Sequence, residues 1–369
     1  MEKNASVVLQ QKMNLNHRCI QIFGERIDFI LKMHFPHWKS LRLRFGSRGN
    51  FDLSAILSAH MILVPVESSP GFVVHFVPWR VPISLPECGH LDVECIEQNT
   101  VLIIQARGPE PPSMLSIPAA SLRQLVHKHA CVSLRGFKQD DDLCEIAEHV
   151  GSILEWKHHF GKVLDIHSAP KGNSNSQSLE PLPMHFDGMF KKKSDDAETL
   201  GDVPLFQLFH CINAYPQPNE NESGKTLITD TRRIWKKWSK RDRGRAKRIT
   251  LAYRTPMFDH SHLLHISPLI GSHPITRERV IRYHEPWSKN MTKHSCINVS
   301  SHGSASTKQK TQDAAWAKEA IVHHLYSDEF CYRHTWLSGE FLIADNVATL
   351  HARTSMKQCG RHIRRMHIN

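Results

Sequence analysis

The sequence predicts a mainly β fold: a double-stranded β-helix (jelly roll) with flanking helices, preceded by a small N-terminal α/β segment. The chain has 369 residues, 40% of them apolar, which is enough for one large domain and a smaller one. From about residue 160 onwards, short β-rich runs alternate with polar loops and only a few helical patterns intervene. Many short strands with few helices favour two packed sheets over a parallel α/β sheet.

The predicted elements follow one another closely along the second part of the chain. A helical pattern at 122–129 leads into a short apolar strand at 130–134, and the acidic run 140–142 can cap a helix that continues through Val150. The later predicted strands are 162–166, 184–190, 205–214, 225–231, 279–283, 340–344 and 361–368. The polar stretches 171–178 and 298–312 are predicted to be mobile covers or surface insertions.

A domain boundary is predicted at residues 107–113, where prolines and glycines break any regular element. This divides the chain into an N-terminal segment, 1–112, and a larger domain, 113–369. No internal repeat or heptad pattern marks a further division.

Cysteine usage and hydropathy predict a cytoplasmic protein. The nine cysteines include no C-x-x-C pair, and their odd number argues against a complete disulfide framework, so we expect a reducing compartment. No secretory leader is recognisable, and no run of about 18 apolar residues occurs. We therefore expect no membrane partner.

The net charge of +11 raises the question of nucleic-acid binding. The basic residues concentrate at 232–247, together with Trp235 and Trp238 at helical spacing, and at 361–365. This distribution fits a solvated helix face and an anion-binding active site better than a nucleic-acid groove. We expect a small-molecule substrate and no nucleic-acid partner, while a homo-oligomer stays open.

His185 and Asp187 are candidate metal ligands. On a strand, side chains two residues apart leave the same face, so both can bind one ion while Phe186 points away. His351, which follows an apolar strand and a polar turn, can complete a two-histidine, one-carboxylate triad that leaves positions open and favours iron(II) in O₂ chemistry. With 27 histidines, a chance match is expected, and His90 with Asp92 is a second pair.

The C-terminal strand supplies a candidate carboxylate site. Arg361 can bind a carboxylate bidentately, which an ammonium group cannot do with the same geometry, and Arg365 lies at an alternate position of the same predicted strand. Thr226 can donate its hydroxyl to the same carboxylate. These residues fit the distal carboxylate of 2-oxoglutarate.

Residues from about 121 to 369 resemble the taurine dioxygenase-like family of iron(II)- and 2-oxoglutarate-dependent oxygenases. The matching segments, in chain order, are LRGF (134–137), HFDG (185–188), GKT (224–226), HPIT (273–276), LHART (350–354) and RHIRR (361–365). The resemblance implies a dioxygenase that consumes O₂, with His185, Asp187 and His351 on Fe(2+). It further implies that Thr226 and Arg361 hold the 2-oxoglutarate carboxylate. The short linker 355–360 leaves the choice between Arg361 and Arg364 open.

A narrower resemblance concerns the oxygenases of isonitrile (isocyanide) biosynthesis, a branch of secondary metabolism. It rests on MHFDGMFK (184–191), FQLFHC (206–211) and RYHEP (282–286). It implies oxidation of an amino-acid-derived isonitrile and leaves hydroxylation and desaturation open. Residues 35–43 and 77–80 resemble the end of an isocyanide synthase without its catalytic bulk, so 1–112 is interpreted as a non-catalytic remnant or a packing partner.

Two other interpretations stay open. A Jumonji-type hydroxylase also uses an H-x-D pair and a distal histidine, but usually holds 2-oxoglutarate with a lysine. A catalytically decayed oxygenase would act as a basic binding protein, with salt-sensitive binding to nucleic acid and no iron-dependent turnover.

Overall fold

In the computed structural model, the chain forms two compact units, Met1–Val81 and Pro82–Asn369. It describes the backbone of residues 59–65, 72–78 and 93–98, and the full residues of 100–106, 110–156, 160–169, 176–191, 203–216, 223–255, 264–287, 297–303 and 306–369. In the first unit, strands β1 (Ala59–Pro65) and β2 (Phe72–Pro78) pair antiparallel. The alternative metal pair, His90 and Asp92, lies outside the described residues, as do residues 35–43 and 79–80.

The second unit is dominated by short strands. They are β3 (Val93–Gln98), β4 (Val101–Ala106), β5 (Cys131–Arg135), β6 (Leu164–His167), β7 (Leu182–His185), β8 (Phe206–Asn213), β9 (Thr226–Asp230), β10 (Thr250–Arg254), β11 (Leu264–Pro268), β12 (Ile270–Ser272), β13 (Arg279–Ile281), β14 (Asn298–His302), β15 (Cys331–His334), β16 (Phe341–Asp345), β17 (Thr349–Arg353) and β18 (His362–Ile368).

Five α-helices lie in the described part of this unit. They are α1 (Ala119–His129), α2 (Leu143–Val150), α3 (Thr231–Lys237), α4 (Lys240–Ala246) and α5 (Thr307–Leu325). The Asp142 side chain accepts a hydrogen bond from the backbone N–H of Cys144 at the start of α2, which confirms the predicted cap. None of the described helices is long and apolar enough to cross a membrane.

Two sheets pack face to face. One has the strand order β3-β4-β5-β16-β8-β18-β6 and the other the order β15-β9-β17-β7. Neighbouring strands are antiparallel except β4 and β5, which are parallel. Apolar side chains from both sheets meet in one buried cluster, including Phe209 and Leu342 from the first sheet and Ile228 from the second. This architecture confirms the predicted jelly roll with flanking helices.

The helices cover the outer faces of the two sheets. Leu122 on α1 and Ile146 on α2 are fully buried against the larger sheet. On the smaller sheet, Ile234 of α3 and Ile321 of α5 are fully buried in another apolar cluster. Each such side chain contributes about 1.5–3 kcal/mol through the apolar surface that it removes from water.

Two sequence predictions differ from the structure. The predicted loop at 298–312 contains β14 and the first turns of α5, because Ser306 accepts a hydrogen bond from the backbone N–H of Gln309 and caps that helix. The predicted strand 184–190 ends at His185. The second compact unit begins at Pro82, and within it β4 pairs with β5 across the proline-rich stretch. The domain boundary at residues 107–113 stays a prediction.

Candidate active site

The three predicted metal ligands converge between the two sheets. His185 ends β7, Asp187 follows two residues later, and His351 lies in the middle of β17. Because β7 and β17 pair antiparallel with His185 and His351 as direct partners, residues far apart in sequence become neighbours. One ligand atom from each of the three residues lies within 4.8 Å of the others.

Alternation along the chain separates these ligands from the core side chains between them. Phe186 is 2% exposed and points to the opposite side, where the guanidinium carbon of Arg282 lies 3.7 Å from its ring centroid. Leu350 and Ala352, on either side of His351, are buried in the same apolar cluster as Phe186, which is the cluster between the smaller sheet and helices α3 and α5. We call it the outer apolar cluster. The predicted placement of His185 and Asp187 on one face is therefore observed.

The hydrogen bond of His185 leaves one of its nitrogens available to a metal. Its Nδ1 lies 2.7 Å from the carbonyl oxygen of Pro183. A carbonyl only accepts, so Nδ1 carries the proton and Nε2 keeps a free lone pair. This Nε2 is 3.8 Å from Asp187 Oδ1, and His351 Nε2 is 3.8 Å from Asp187 Oδ2.

These separations suit ligands of one ion better than a hydrogen bond. Metal bonds of roughly 2 Å keep the ligand atoms roughly 3 to 4 Å apart. Two other histidine and aspartate groups in the described residues differ, because His127 lies 2.8 Å from Asp345 and His362 lies 2.7 Å from Asp165. Those groups are direct hydrogen-bonded pairs, so only the group formed by His185, Asp187 and His351 has metal-like spacing.

The protonation states also fit a metal site. Burial lowers the pKa of both His185 and His351, so both imidazoles are neutral near pH 7. Burial alone would raise the pKa of Asp187, but the guanidinium of Arg365 and neighbouring histidines hold it well below its usual range. Two neutral imidazoles and one carboxylate are the donor set of non-haem iron(II) oxygenases.

Asp187 is held in place through its backbone and its side chain. The Asn346 side chain accepts a hydrogen bond from the Asp187 N–H and donates one to the Asp187 carbonyl, each 3.1 Å long. Asp187 Oδ2 accepts hydrogen bonds from Gln207 Nε2, at 2.6 Å, and from Arg365 Nη1. Arg365 therefore contacts a candidate metal ligand directly.

Arg361 contacts the backbone of Gly224, two residues before Thr226. Arg361, which precedes β18 by one residue, is 5% exposed and donates from Nη1 to the carbonyl oxygen of Gly224, at 2.6 Å. Thr226 begins β9, and its hydroxyl oxygen accepts a hydrogen bond from Trp336 Nε1, at 2.9 Å. Burial lowers the pKa of Arg361 to about 10, and its Nε has no partner among the described residues.

A buried guanidinium without a carboxylate partner is costly unless an anion binds to it. Within the described residues, no acidic side chain forms an ion pair with Arg361. Arg364 differs, because it is exposed and its Nε lies 3.2 Å from Asp165 on the outer face of the sheet. The geometry therefore favours Arg361 over Arg364 as the carboxylate ligand.

Two side chains that stabilise the edge strand β7, those of Glu285 and Tyr326, were not predicted from the sequence. The Glu285 N–H donates to the carbonyl oxygen of Met184, and the Met184 N–H donates to Glu285 Oε2, at 2.9 and 2.8 Å. The Tyr326 hydroxyl also donates to this carboxylate. Glu285 thus replaces a missing neighbouring strand at the edge of the sheet, directly before His185.

Aromatic rings surround the metal ligands. The ring centroid of Trp287 lies 5.1 Å from that of His185, and the ring centroid of His284 lies 5.5 Å from it. Tyr283 is 2% exposed and packs in the apolar cluster under the helices of the smaller sheet, whereas the ring of His284 contacts that of His185. Gln207 and His367 also face Asp187, and neither was singled out from the sequence. The only sequence feature that could have indicated these two residues is their position on the inward-facing side of β8 and β18.

Several curated proteins are similar to this chain. An isocyanide synthase of Aspergillus fumigatus, xanB, is 30% identical over 276 residues, which cover 70% of this chain and 34% of that protein. The chain thus spans about a third of the length of that relative. A tyrosine isonitrile desaturase of Erwinia amylovora is 29% identical over 265 residues, covering 67% of this chain and 80% of that protein.

Comparison with solved structures agrees with the fold. A structure of PvcB, described as an Fe, alpha-ketoglutarate dependent oxygenase from an isonitrile synthetic pathway, superposes with a TM-score of 0.57 and 23% identity. It covers 76% of this chain and 93% of that one. Residues 97–367 match one family profile, and this range includes His185, Asp187, Thr226, His351, Arg361 and Arg365. The chain belongs to the Taurine catabolism dioxygenase TauD, TfdA family.

Proposed function

We propose that this chain is an iron(II)- and 2-oxoglutarate-dependent dioxygenase that oxidises a small, amino-acid-derived isonitrile. The observation that carries this proposal is the pairing of a metal-like triad with a buried guanidinium that lacks an anionic partner. The triad supplies two neutral histidines and one carboxylate, and Arg361 supplies the positive charge for a dicarboxylate co-substrate.

Each residue has a distinct role in this proposal. His185, Asp187 and His351 hold the iron, while Arg361 and Thr226 bind the distal carboxylate of 2-oxoglutarate. When bound, iron(II) with 2-oxoglutarate supplies oxidising power from O₂. The chain itself orients the ligands and excludes water from the space between the sheets.

Arg365 has a different position from the one that its spacing predicted. Its Nη1 donates to Asp187 Oδ2, so it is not beside the Gly224 carbonyl that Arg361 contacts. Its Nε has no partner among the described residues. We propose that Arg365 stabilises the charge of Asp187 and presents a free donor to the substrate side of the centre, and that Arg361 alone is the guanidinium for 2-oxoglutarate.

The substrate assignment draws on the relatives. One is named tyrosine isonitrile desaturase and another is named 3-((Z)-2-isocyanoethenyl)-1H-indole synthase. The aromatic side chains near the centre, Trp287 beside His185 and Phe160 beside His367, provide flat apolar surfaces for a substrate of this kind. Aromatic amino-acid isonitriles are therefore the first substrates to test.

The test is aerobic incubation of the purified protein with iron(II), 2-oxoglutarate and the isonitriles of tyrosine and tryptophan. Product and succinate are both measured by mass spectrometry, and the product mass separates hydroxylation from desaturation. We expect one succinate per oxidised isonitrile, with Arg361→Ala impaired and Arg364→Ala unaffected. Succinate without oxidised isonitrile would reject the substrate, and no succinate from folded, iron-loaded protein would reject the dioxygenase.

A further inference from the structure

We infer that Trp156, His367 and Gln207 form a hydrogen-bonded support that makes Asp187 a one-oxygen metal ligand. This inference rests on the proposed metal centre. Gln207 on β8 and His367 on β18 are direct partners across the two antiparallel strands, and both side chains reach Asp187. Gln207 Nε2 is 2.6 Å from Asp187 Oδ2, and His367 Nε2 is 3.4 Å from the same oxygen.

Trp156 fixes which nitrogen of His367 carries the proton. The Trp156 indole nitrogen lies 2.9 Å from His367 Nδ1. An indole N–H can only donate, so Nδ1 must be the acceptor. In the neutral imidazole the proton is then on Nε2, which faces Asp187 Oδ2 as a donor. His367 is 2% exposed, so water does not compete for either nitrogen.

The two oxygens of Asp187 therefore differ. Oδ2 faces three donors, from Gln207, His367 and Arg365. In the described part of the chain, no hydrogen bond reaches Oδ1, which is 3.8 Å from His185 Nε2. Oδ2 lies 3.8 Å from His351 Nε2, but it already faces these three donors and cannot bind a metal without breaking several of those hydrogen bonds. Oδ1 is therefore the oxygen left for a metal.

This asymmetry has a consequence for the open positions of the centre. A carboxylate that binds through both oxygens occupies one more metal position than a carboxylate that binds through one. The support on Oδ2 keeps that position available to the co-substrate or O₂. Gln207 and His367 are thus positioning residues for Asp187, and Trp156 is a positioning residue for His367.

The first test is Trp156→Phe, which keeps a six-membered aromatic ring and removes the N–H donor of the indole. In metal-free protein labelled with nitrogen-15 in histidine, we expect the His367 signals to lose the pattern of a single Nε2-protonated tautomer. The His367→Gln variant assigns those signals. Trp235→Phe, a tryptophan on α3 far along the chain, is the matched control and should leave them unchanged.

The second test is metal affinity, measured by calorimetry with cobalt(II) in place of iron(II). We expect Trp156→Phe and Gln207→Met each to weaken binding by about 10- to 100-fold, the usual effect of removing a partner of a metal ligand. The visible band of the anaerobic iron(II) and 2-oxoglutarate complex should also shift in both variants. A purely structural role would change stability and leave the band in place.

The outcomes separate the two claims. If the wild-type protein binds no cobalt(II), the proposed metal centre fails. If it binds cobalt(II) but Trp156→Phe leaves both the His367 signals and the affinity unchanged, the hydrogen-bonded support is rejected and the metal centre stands. Loss of folding in Gln207→Met would leave the decision to Trp156→Phe, whose ring is retained.

Discussion

His185 and His351 face each other as direct partners across β7 and β17, and their imidazole centroids are 4.2 Å apart. Antiparallel pairing fixes this separation, since directly opposite residues have Cβ atoms about 4.5–5.5 Å apart. Strand register therefore brings these two candidate ligands together. A change of one residue in that register would turn His351 toward the outer apolar cluster.

The first prediction separates Arg361 from Arg364. Arg361→Ala should raise the KM for 2-oxoglutarate by more than about tenfold, because hydrogen bonds to a charged group contribute about 1.5–3 kcal/mol. Arg361→Lys should recover only part of this loss, because an ammonium lacks the planar fork of a guanidinium. Steady-state kinetics with varied 2-oxoglutarate measure both effects.

Arg364→Ala is the matched control, since Arg364 is exposed and paired with Asp165. Its KM for 2-oxoglutarate should equal that of the wild type. A larger effect in Arg364→Ala than in Arg361→Ala would reverse the assignment. Retained activity in Arg361→Ala with dependence on a lysine instead would favour a Jumonji-type site.

The second prediction concerns the Asn346 side chain, which brackets the backbone of Asp187 and also donates to Pro204. Asn346→Ala should weaken cobalt(II) binding by about 10- to 100-fold. It should also lower the free energy of unfolding by about 1–3 kcal/mol, since buried polar groups lose their partners. Calorimetry and urea unfolding test this, with the exposed Asn213→Ala as control. Unchanged metal affinity would show that Asn346 does not position Asp187.

The third prediction concerns Glu285 at the edge of the smaller sheet. Glu285→Ala removes one of the two acceptors of the Met184 N–H, the other being the Tyr326 hydroxyl, and it removes the carboxylate to which that hydroxyl donates. We therefore expect the free energy of unfolding to fall by about 1–3 kcal/mol. Glu329→Ala, which removes an exposed carboxylate paired with Lys237, should change it by less than about 1 kcal/mol. Equal effects of the two substitutions, measured by urea unfolding, would contradict a special role of Glu285.

The fourth prediction concerns the pH dependence contributed by Glu340, which is 1% exposed. Its carboxylate accepts hydrogen bonds from Arg135 Nε, at 2.8 Å, and from the backbone N–H of Leu337, at 3.0 Å. Burial alone would raise the pKa of Glu340, but His334, Arg135 and Ser133 lower it to about 2. A depressed pKa contributes stability above the unfolded value, and this stability is lost as the pH falls toward the folded value.

Wild-type protein should therefore exceed Glu340→Gln in free energy of unfolding by about 3 kcal/mol above about pH 5. The difference should narrow as the pH falls from about 4.5 toward 2. Denaturant unfolding at several pH values measures it. A difference that stays constant over this range would show that the Glu340 charge is not the source of the stability.

The sequence predicted the parts of the site that follow local rules. Alternation placed His185 and Asp187 on one face, and an apolar strand followed by a polar turn placed His351 at the same centre. The charge pattern singled out Arg361, which proved to be buried beside Gly224. These features depend on spacing within one or two strands.

The sequence did not predict features that depend on distant pairing. Arg365 was expected beside Arg361. The two share a face of the strand region but lie four residues apart along it, so Arg365 contacts Asp187 together with His367 while Arg361 contacts Gly224. Gln207 and Glu285 acquire their roles only when β8 lies next to β18 and when Glu285 covers the edge of β7. The pairing of β4 with β5 across the proline-rich stretch also depends on contacts that no local pattern shows, and the boundary at residues 107–113 stays a prediction. Whether residues 1–112 are a synthase remnant stays a prediction.

The most direct measurement is an anaerobic titration of metal-free protein with iron(II) and then 2-oxoglutarate, monitored for the weak visible charge-transfer band of their complex. The wild-type protein should develop the band, Arg361→Ala should need more 2-oxoglutarate to reach it, and Asp187→Ala should show none. The Asp187→Ala effect should exceed the roughly 10- to 100-fold loss expected for an outer partner. A folded wild-type protein without the band, or a band of full intensity in Asp187→Ala, would contradict the iron(II) and 2-oxoglutarate centre.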